Sequence, residues 1–457
     1  MADPIRAVQA ELDDLTEELF EFLRIPSVSA RSEYAVETRA AAIWVRDHLK
    51  TAGLKASLVE TDGHPVVLGE WRGAGPDAPT VLIYGHYDVQ PAEPLELWTS
   101  PPFEPEIRDQ RIYARGAADD KGQLYLHLKA LEILLRTKGT LPVNVVVVAE
   151  GEEEIGSAHL LPFLERNRER LACDAIVISD SQMFSPETPS LLFSLRGLSY
   201  LEILVRGARS DLHSGAYGGA VPNPATVLAR LLASLHDDRG RVAIEGFYDQ
   251  VVEWDAATRE GIRALPFDEE GYREEVGAAE LSGEEGYSTL ERLWIRPTCE
   301  INGLLSGYTE EGAKTVLPAR AMAKVSFRLV PDQDPEEVAH LLRRHLQRLA
   351  PTSVVVDVHE LHRGLPWRGA PEGPFFEAAR SALARTFGSE PVLTGEGGSI
   401  PIVSDFERVL KAPAILLGFA LPGANMHAPD EWFPLPHLEL GIATLIRFYE
   451  ELARTGD

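Results

Sequence analysis

Cysteine is nearly missing from this chain: Cys173 and Cys299 are the two present among 457 residues. That excludes a disulfide framework and a thiolate metal site, and it fits a reducing compartment. Long hydrophobic runs are missing as well. The longest, 143–149 and 414–421, fall far short of the ~18 residues a membrane span requires and read as buried strands. Positive charge is scarce, with 44 Lys and Arg against 71 Asp and Glu and a net charge of −27. Such a surface repels phosphate backbones and anionic lipid, so neither nucleic acid nor a membrane is expected as a partner. Simple solvation accounts for the charge without any acid-specific role. The N-terminal stretch carries Asp3, Glu11, Asp13 and Asp14 where a secretion signal would be basic, which points to a cytoplasmic protein. No internal repeat or low-complexity tract is visible.

What is present is an ordinary globular composition, 44% hydrophobic and 25% charged, at a length that calls for two domains. Apolar residues recur at helical spacing over 12–23 and 40–54, with Gly53 as the stop signal of the second. Short apolar runs at 81–84, 143–148 and 175–178 then alternate with helical stretches at 122–135 and 158–167. That alternation predicts an α/β fold: a mainly parallel, buried sheet flanked by helices, with sites at the carboxyl ends of its strands. The middle of the chain reads differently. Half-buried strands at 201–205 and 322–329, with amphipathic helices at 222–235 and 335–349, predict an inserted α+β domain. Between them, 237–294 is acidic and aromatic with weak periodicity, and is assigned only as an excursion of that domain. Helix and strand patterning resumes after His362 and ends in a helix over 437–452. The expected organisation is a catalytic domain in two parts, 1–197 and 363–457, interrupted by an inserted lid and dimerisation domain at 198–362.

Five groups at strand and loop ends carry the candidate chemistry. Gly85-His86-Tyr87-Asp88 follows an apolar strand, so His86 stands at its carboxyl end with Asp88 on the same side. A carboxylate so placed can fix the imidazole's tautomer while the other nitrogen binds metal, although a lone His-x-Asp is more often structural. Asp119-Asp120-Lys121-Gly122 opens the next helix, where an N-cap favoured by the helix dipole is the plain alternative. Glu150, Glu152, Glu153 and Glu154 crowd the exit of a buried strand. Like charges so close need a cation or raised pKa values, unless the segment is merely a solvated loop. Ser179-Asp180 repeats the arrangement after 175–178, and Asn425-Met426-His427 lies beyond 414–421. Oxygen ligands mixed with two imidazoles suit zinc, cobalt or manganese better than calcium, and the lack of thiolates argues against a structural zinc. Two dications, three carboxylates and one hydroxide balance to neutrality. His86, Asp119, Glu154, Asp180 and His427 could therefore hold a neutral two-metal centre, with Glu153 left over as a base.

Taken in order, Gly-His-x-Asp-Val-Gln-Pro at 85–91, Asp-Asp-Lys-Gly at 119–122, Glu-Gly-x-Glu-Glu-x-Gly-Ser at 150–157, Ser-Asp at 179–180, Asp-Leu-His-Ser-Gly at 211–215 and the late His427 form a set. This set resembles the co-catalytic zinc peptidases, the family of carboxypeptidase G, the aminoacylases, succinyl-diaminopimelate desuccinylase and the carnosinase-like cytosolic nonspecific dipeptidases. The resemblance spans nearly the whole chain and implies a catalytic domain interrupted by a lid. It implies that His86 and Asp180 bind one metal, Glu154 and His427 the other, and that Asp119 bridges them. Asp88 would orient His86, Glu153 would be the general base, and His213 would donate to the oxyanion.

The segments 211–215, 313–318, 327–331 and 396–401 look most like the dipeptidase branch. By that likeness Arg328 would clamp the substrate carboxylate, a task its planar fork suits, with a surface salt bridge as the plain alternative. Gly398 and Ser399 would bring backbone amides to the same carboxylate, and His362 resembles a further substrate contact. The implied activity is hydrolysis of dipeptides or short peptides with a free C-terminal carboxylate. An N-acyl-amino-acid deacylase or desuccinylase is the alternative within the family, and a metal-binding homologue without catalysis is the alternative outside it. Two divalent ions per subunit are implied, zinc first, with manganese or cobalt as options. A homodimer is implied too, with His213 acting across the subunit interface unless it merely caps the turn at Ser214-Gly215.

Overall fold

A computed structural model of the chain describes residues 3–398 and 400–456. They form two compact units, the first made of Met1–Phe193, Gly369–Thr394 and Ile402–Asp457, the second of Ser194–Arg368 and Gly395–Pro401. The chain thus leaves the first unit at 193/194, where 197/198 is expected from the sequence, and returns at 368/369 rather than 362/363. The extra residues are accounted for by backbone pairing, since Trp367 and Arg368 run antiparallel to Leu195 and Ser194. The segment Gly395–Pro401, expected in the resumed first domain, belongs to the second unit. Arg196 holds it there, its backbone N–H donating to Glu396 O at 3.2 Å and its Nε to Gly397 O at 3.3 Å.

In the first unit, the strands Asn144–Glu150, Thr80–His86, Ala175–Ile178 and Ala414–Leu416 are neighbours in that order and run parallel. Antiparallel Val66–Trp71 and Lys55–Val59 extend the sheet beyond Asn144–Glu150. Valine and isoleucine runs such as Val145 to Val148 and Ile176 to Ile178 are fully buried, as strands covered on both faces must be. The register decides what meets at the carboxyl edge. Tyr84 pairs with both Val148 and Ile178, so two residues further on Glu150, His86 and Asp180 come level. Lys121–Lys138, with thirteen buried residues, is the central helix and packs against Leu435–Leu452 and Ala35–Ala52. Glycines in the left-handed region, Gly53 and Gly139, terminate two of these three helices.

The second unit is an antiparallel four-stranded sheet in the order Thr298–Ser306, Arg320–Leu329, Gly197–Arg206 and Val355–Gly364. One face buries Leu201, Ile203, Val325 and Phe327 with Leu228, Leu231, Leu342 and Leu346 of the helices Pro224–Ala233 and Pro335–Leu349. The segment 237–294, an excursion of this domain with weak periodicity, contains the short helices Ala256–Arg263, Glu269–Glu275 and Thr289–Trp294. Charge pairs organise it in place of an apolar stripe. Glu291, fully buried, accepts from Arg259 at 2.6 Å and Arg263 at 3.0 Å, and Arg296 grips Glu284 with two nitrogens at 2.7 and 2.8 Å. Among the described residues, no helix is long and apolar enough to cross a membrane.

Candidate active site

The parallel strands of the first unit carry their functional side chains at or just beyond their last residues. His86 ends its own strand and is fully buried, with Nδ1 3.1 Å from the carbonyl oxygen of Asp88 and 3.4 Å from that residue's Oδ1. The main chain of Asp88 is thus the nearer orienting group. Its side chain accepts from Ser29 Oγ at 2.6 Å and from Glu154 N at 3.2 Å, so it also secures the glutamate loop. With Nδ1 directed at Asp88, Nε2 of His86 faces the site.

His86 Nε2 lies 3.0 Å from Asp119 Oδ1 and 3.9 Å from Asp180 Oδ2. On the other side, His427 Nε2 lies 2.9 Å from Asp119 Oδ2 and 3.2 Å from Glu154 Oε2. Two groups that could each hold a metal ion result, His86 with Asp119 and Asp180, and Asp119 with Glu154 and His427, each gathered within 4.8 Å and sharing Asp119. Gln90 fixes Glu154, its N–H donating to Oε1 at 3.1 Å and its Nε2 to Oε2 at 2.8 Å. Glu153 follows the same strand and belongs to neither group.

The electrostatics mark a place built for added positive charge. Burial pushes Asp180 up to about 7, helped by the negative charge of Asp119. Burial likewise raises Glu153 and Glu154, and neighbouring carboxylates add to it. Burial resists ionisation of Asp119, yet hydrogen bonds from His427 and His86 hold it below the usual carboxylate range. His427 is lifted to about 10 by hydrogen bonds to Asp119 and Glu154. Four carboxylates crowded with two imidazoles are satisfied together by cations, and the donor set suits a pair of divalent ions. A third cluster, Glu18 with His48 and Glu132, has similar donors. Its charge is already met, because Lys129 Nζ lies 2.6 Å from Glu18 and 2.5 Å from Glu132.

The remaining candidates lie in the second unit. Arg328, on Arg320–Leu329, faces a cavity of about 780 Å³ that Arg196, Arg292, Arg296 and Glu300 also line. Burial and the charge of Arg328 bring Arg196 down to about 10. A Cβ at Gly397 would stand 2.6 Å from Arg196 Nη2, so a larger residue in the loop that carries Gly398 would displace this guanidinium from its present position. Ser399 lies outside the described residues. His362 is exposed beside a β-bulge and stacks on Tyr200 at 6.4 Å. His213, also exposed, accepts the Gly215 N–H at Nδ1 over 3.1 Å. It therefore does cap its turn, and that bond leaves the proton on Nε2, the tautomer able to donate outward.

Several residues that matter to this geometry were not singled out from the sequence. Gln90 sits within the 85–91 motif and was legible there. Arg196, Arg115 and Glu431 had no local signal, since a lone charged residue beside apolar neighbours reads as surface. Asp120 stands beside Asp119 in the 119–122 motif, and its Oδ2 accepts the His86 N–H at 3.1 Å.

A cluster of this kind, from the fully buried His86 to the exposed His427, at the edge of a parallel sheet defines a class, the metal-dependent hydrolases on α/β domains. Comparison with known proteins narrows it. The model of peptidase family M20/M25/M40 matches residues 82–451. The chain is similar to the Cys-Gly metallodipeptidase dug1 of Schizosaccharomyces pombe, 31% identical over 98% of this chain and 97% of the relative. It is similar to the Beta-Ala-His dipeptidase of Homo sapiens, 32% identical over 85% of this chain and 78% of the relative. A solved structure of the M20 family metallo-carboxypeptidase Sso-CP2 from Sulfolobus solfataricus superposes with a TM-score of 0.83 at 35% identity, covering 97% of this chain and 99% of that one. This chain belongs to peptidase family M20/M25/M40.

Proposed function

We propose that this metallodipeptidase holds two divalent ions, zinc first and manganese or cobalt as options, and cleaves the bond that precedes a free C-terminal carboxylate. The observation that carries the reading is Asp119, which offers one oxygen to each of two histidine-containing groups. His86 and Asp180 would hold one ion, Glu154 and His427 the other, with Asp119 between them. When bound, such ions supply Lewis-acid polarisation of the scissile carbonyl and of a water.

The chain's own residues do the rest. Asp88 holds His86 in one orientation, and Gln90 does the same for Glu154. Glu153, buried in part and raised in pKa, takes the proton of the attacking water on its carboxylate and delivers it to the departing amine nitrogen. His213, with Nε2 as donor, would stabilise the oxyanion. Arg328 would pair with the substrate carboxylate, and Arg196 beside it supports the reading because two guanidiniums at one cavity favour an anion. Gly398, Ser399 and His362 would complete the contacts.

A cytoplasmic homodimer is proposed as well. Thr298–Ser306 is an edge strand of its sheet and exposes Ile301, Leu304 and Leu305, an apolar edge suited to a second copy. A second reading, removal of a C-terminal residue from longer peptides, is prompted by the likeness to a metallo-carboxypeptidase of the same family. Assay of the metal-loaded protein on dipeptides, tripeptides, dipeptide amides, and acetyl and succinyl amino acids decides. Rapid turnover of dipeptides or short peptides with a free carboxylate, and poor turnover of the amides, supports the proposal; equal rates on the amides or a preference for acyl amino acids overturns it.

A further inference from the structure

Against the main chain of Asp119 lies a buried ion pair that the mechanism above does not use. Glu431 is fully buried and Arg115 is 1% exposed. Arg115 Nη1 donates to Glu431 Oε2 at 2.6 Å. The same carboxylate accepts three main-chain N–H groups: Gly116 at 2.9 Å on Oε2, Ala118 at 2.9 Å and Asp119 at 3.1 Å on Oε1. Three of the four amides of residues 116–119 therefore surround a resident anion, while the Ala117 N–H donates to Ala114 O at 3.2 Å. Arg115 reaches further. Its Nη2 donates to Ala428 O at 3.3 Å, the residue after His427, and to Pro91 O at 3.4 Å, the residue after Gln90.

We propose that Arg115 and Glu431 are a positioning pair that sets Asp119 and His427 as ligands. One carboxylate orients the main chain of the bridging residue, and one guanidinium ties the loops of His427 and Gln90 to it. The inference rests on the two-ion reading and adds to it the reason the shared ligand stays in place. A charged pair taken fully out of water is costly to bury and is often no more stabilising than an apolar pair. Retaining it where the loops of Asp119, His427 and Gln90 converge is explained by the geometry it imposes. The amide of a glutamine at 431 would turn an NH2 group towards N–H donors and release one of the two arms.

The test uses Co(II) as the probe on the full chain, with stoichiometry and affinity measured by chelator competition and by the visible spectrum of the bound ion. The expected result for Glu431→Gln is a folded protein whose Co(II) affinity falls by ~10-fold or more, with an altered spectrum. Glu132→Gln serves as the control, because it disturbs the separate buried Glu18, His48 and Lys129 network and should lower Tm while leaving Co(II) binding unchanged. Wild-type affinity and spectrum in folded Glu431→Gln would overturn the proposal, as would a loss no greater than the control shows at equal Tm. Should Glu431→Gln not fold, Arg115→Lys decides by the same criteria, since it keeps the charge and removes the second arm to Ala428 and Pro91. A wild type that takes a single Co(II) would refute the two-ion reading. The ratio of variant to wild-type affinity for that ion would still decide the role of the pair.

Discussion

His427 Nε2 stands 2.9 Å from Asp119 Oδ2 although 308 residues separate the two along the chain. His86 takes the other oxygen of the same carboxylate at 3.0 Å. Asp119 is thus the hinge of both ligand groups, and its loss should be felt by both. Asp119→Ala is expected to lose more metal than Asp180→Ala, which removes a ligand from one group only. Metal analysis after dialysis checks this, and two tightly held ions in Asp119→Ala would show the bridge to be misplaced.

Glu153 directly precedes Glu154 and belongs to neither group. Glu153→Gln and Glu153→Ala should keep near-normal metal content and fold while kcat drops by at least ~10²-fold, the scale of lost proton transfer. Steady-state kinetics beside metal analysis separates this from loss of metal. Wild-type turnover in Glu153→Ala would rule the assignment out.

Arg328 shares its cavity with Arg196. Arg328→Ala should raise KM for dipeptides, while dipeptide amides should be poor substrates of the wild type and little worse for the variant. Equal wild-type rates on dipeptides and their amides would remove the need for a carboxylate clamp.

His213 caps its own turn and keeps Nε2 as a donor, so its use across a dimer can be tested by mixing. Inactive His213→Ala and inactive Glu153→Ala chains, allowed to exchange, should recover up to about a quarter of wild-type activity, since half of random dimers are mixed and each holds one intact site. No recovery despite demonstrated exchange would return His213 to its own chain.

Stability should fall with acid through His127. It lies fully inside the first unit between Tyr449 Oη at 2.7 Å and Ser179 Oγ at 2.8 Å, and burial lowers it to about 3. The unfolded chain takes up this proton first, so the contribution is whole above the ordinary histidine value and declines by roughly 1.4 kcal/mol per pH unit below about 6.5. Urea unfolding of wild type and His127→Gln between about pH 7 and pH 4.5 should show a shallower decline in the variant. Identical slopes would mean that His127 is not buried neutral.

Much of this protein is determined locally and could be read from its residues. Valine and isoleucine runs such as 143–149 specify buried strands because nothing else can cover them, and helices at 12–23 and 335–349 follow from apolar spacing alone. The site was legible for a related reason. In a parallel sheet, residues just past the strand ends share one edge, so His86, Glu153, Glu154 and Asp180 had to be neighbours once the strands paired. Pairing itself was a tertiary decision. Only the register of Tyr84 with Val148 and Ile178 brings these side chains level. Only folding could show that Arg196 draws Gly395–Pro401 into the second unit, or that charge pairs rather than apolar periodicity order 237–294. Glu431 and Arg115 illustrate the limit most plainly. A charged residue states its chemistry in the sequence but not its partner, and these two become a buried pair only because chain segments more than 300 residues apart exclude water from between them.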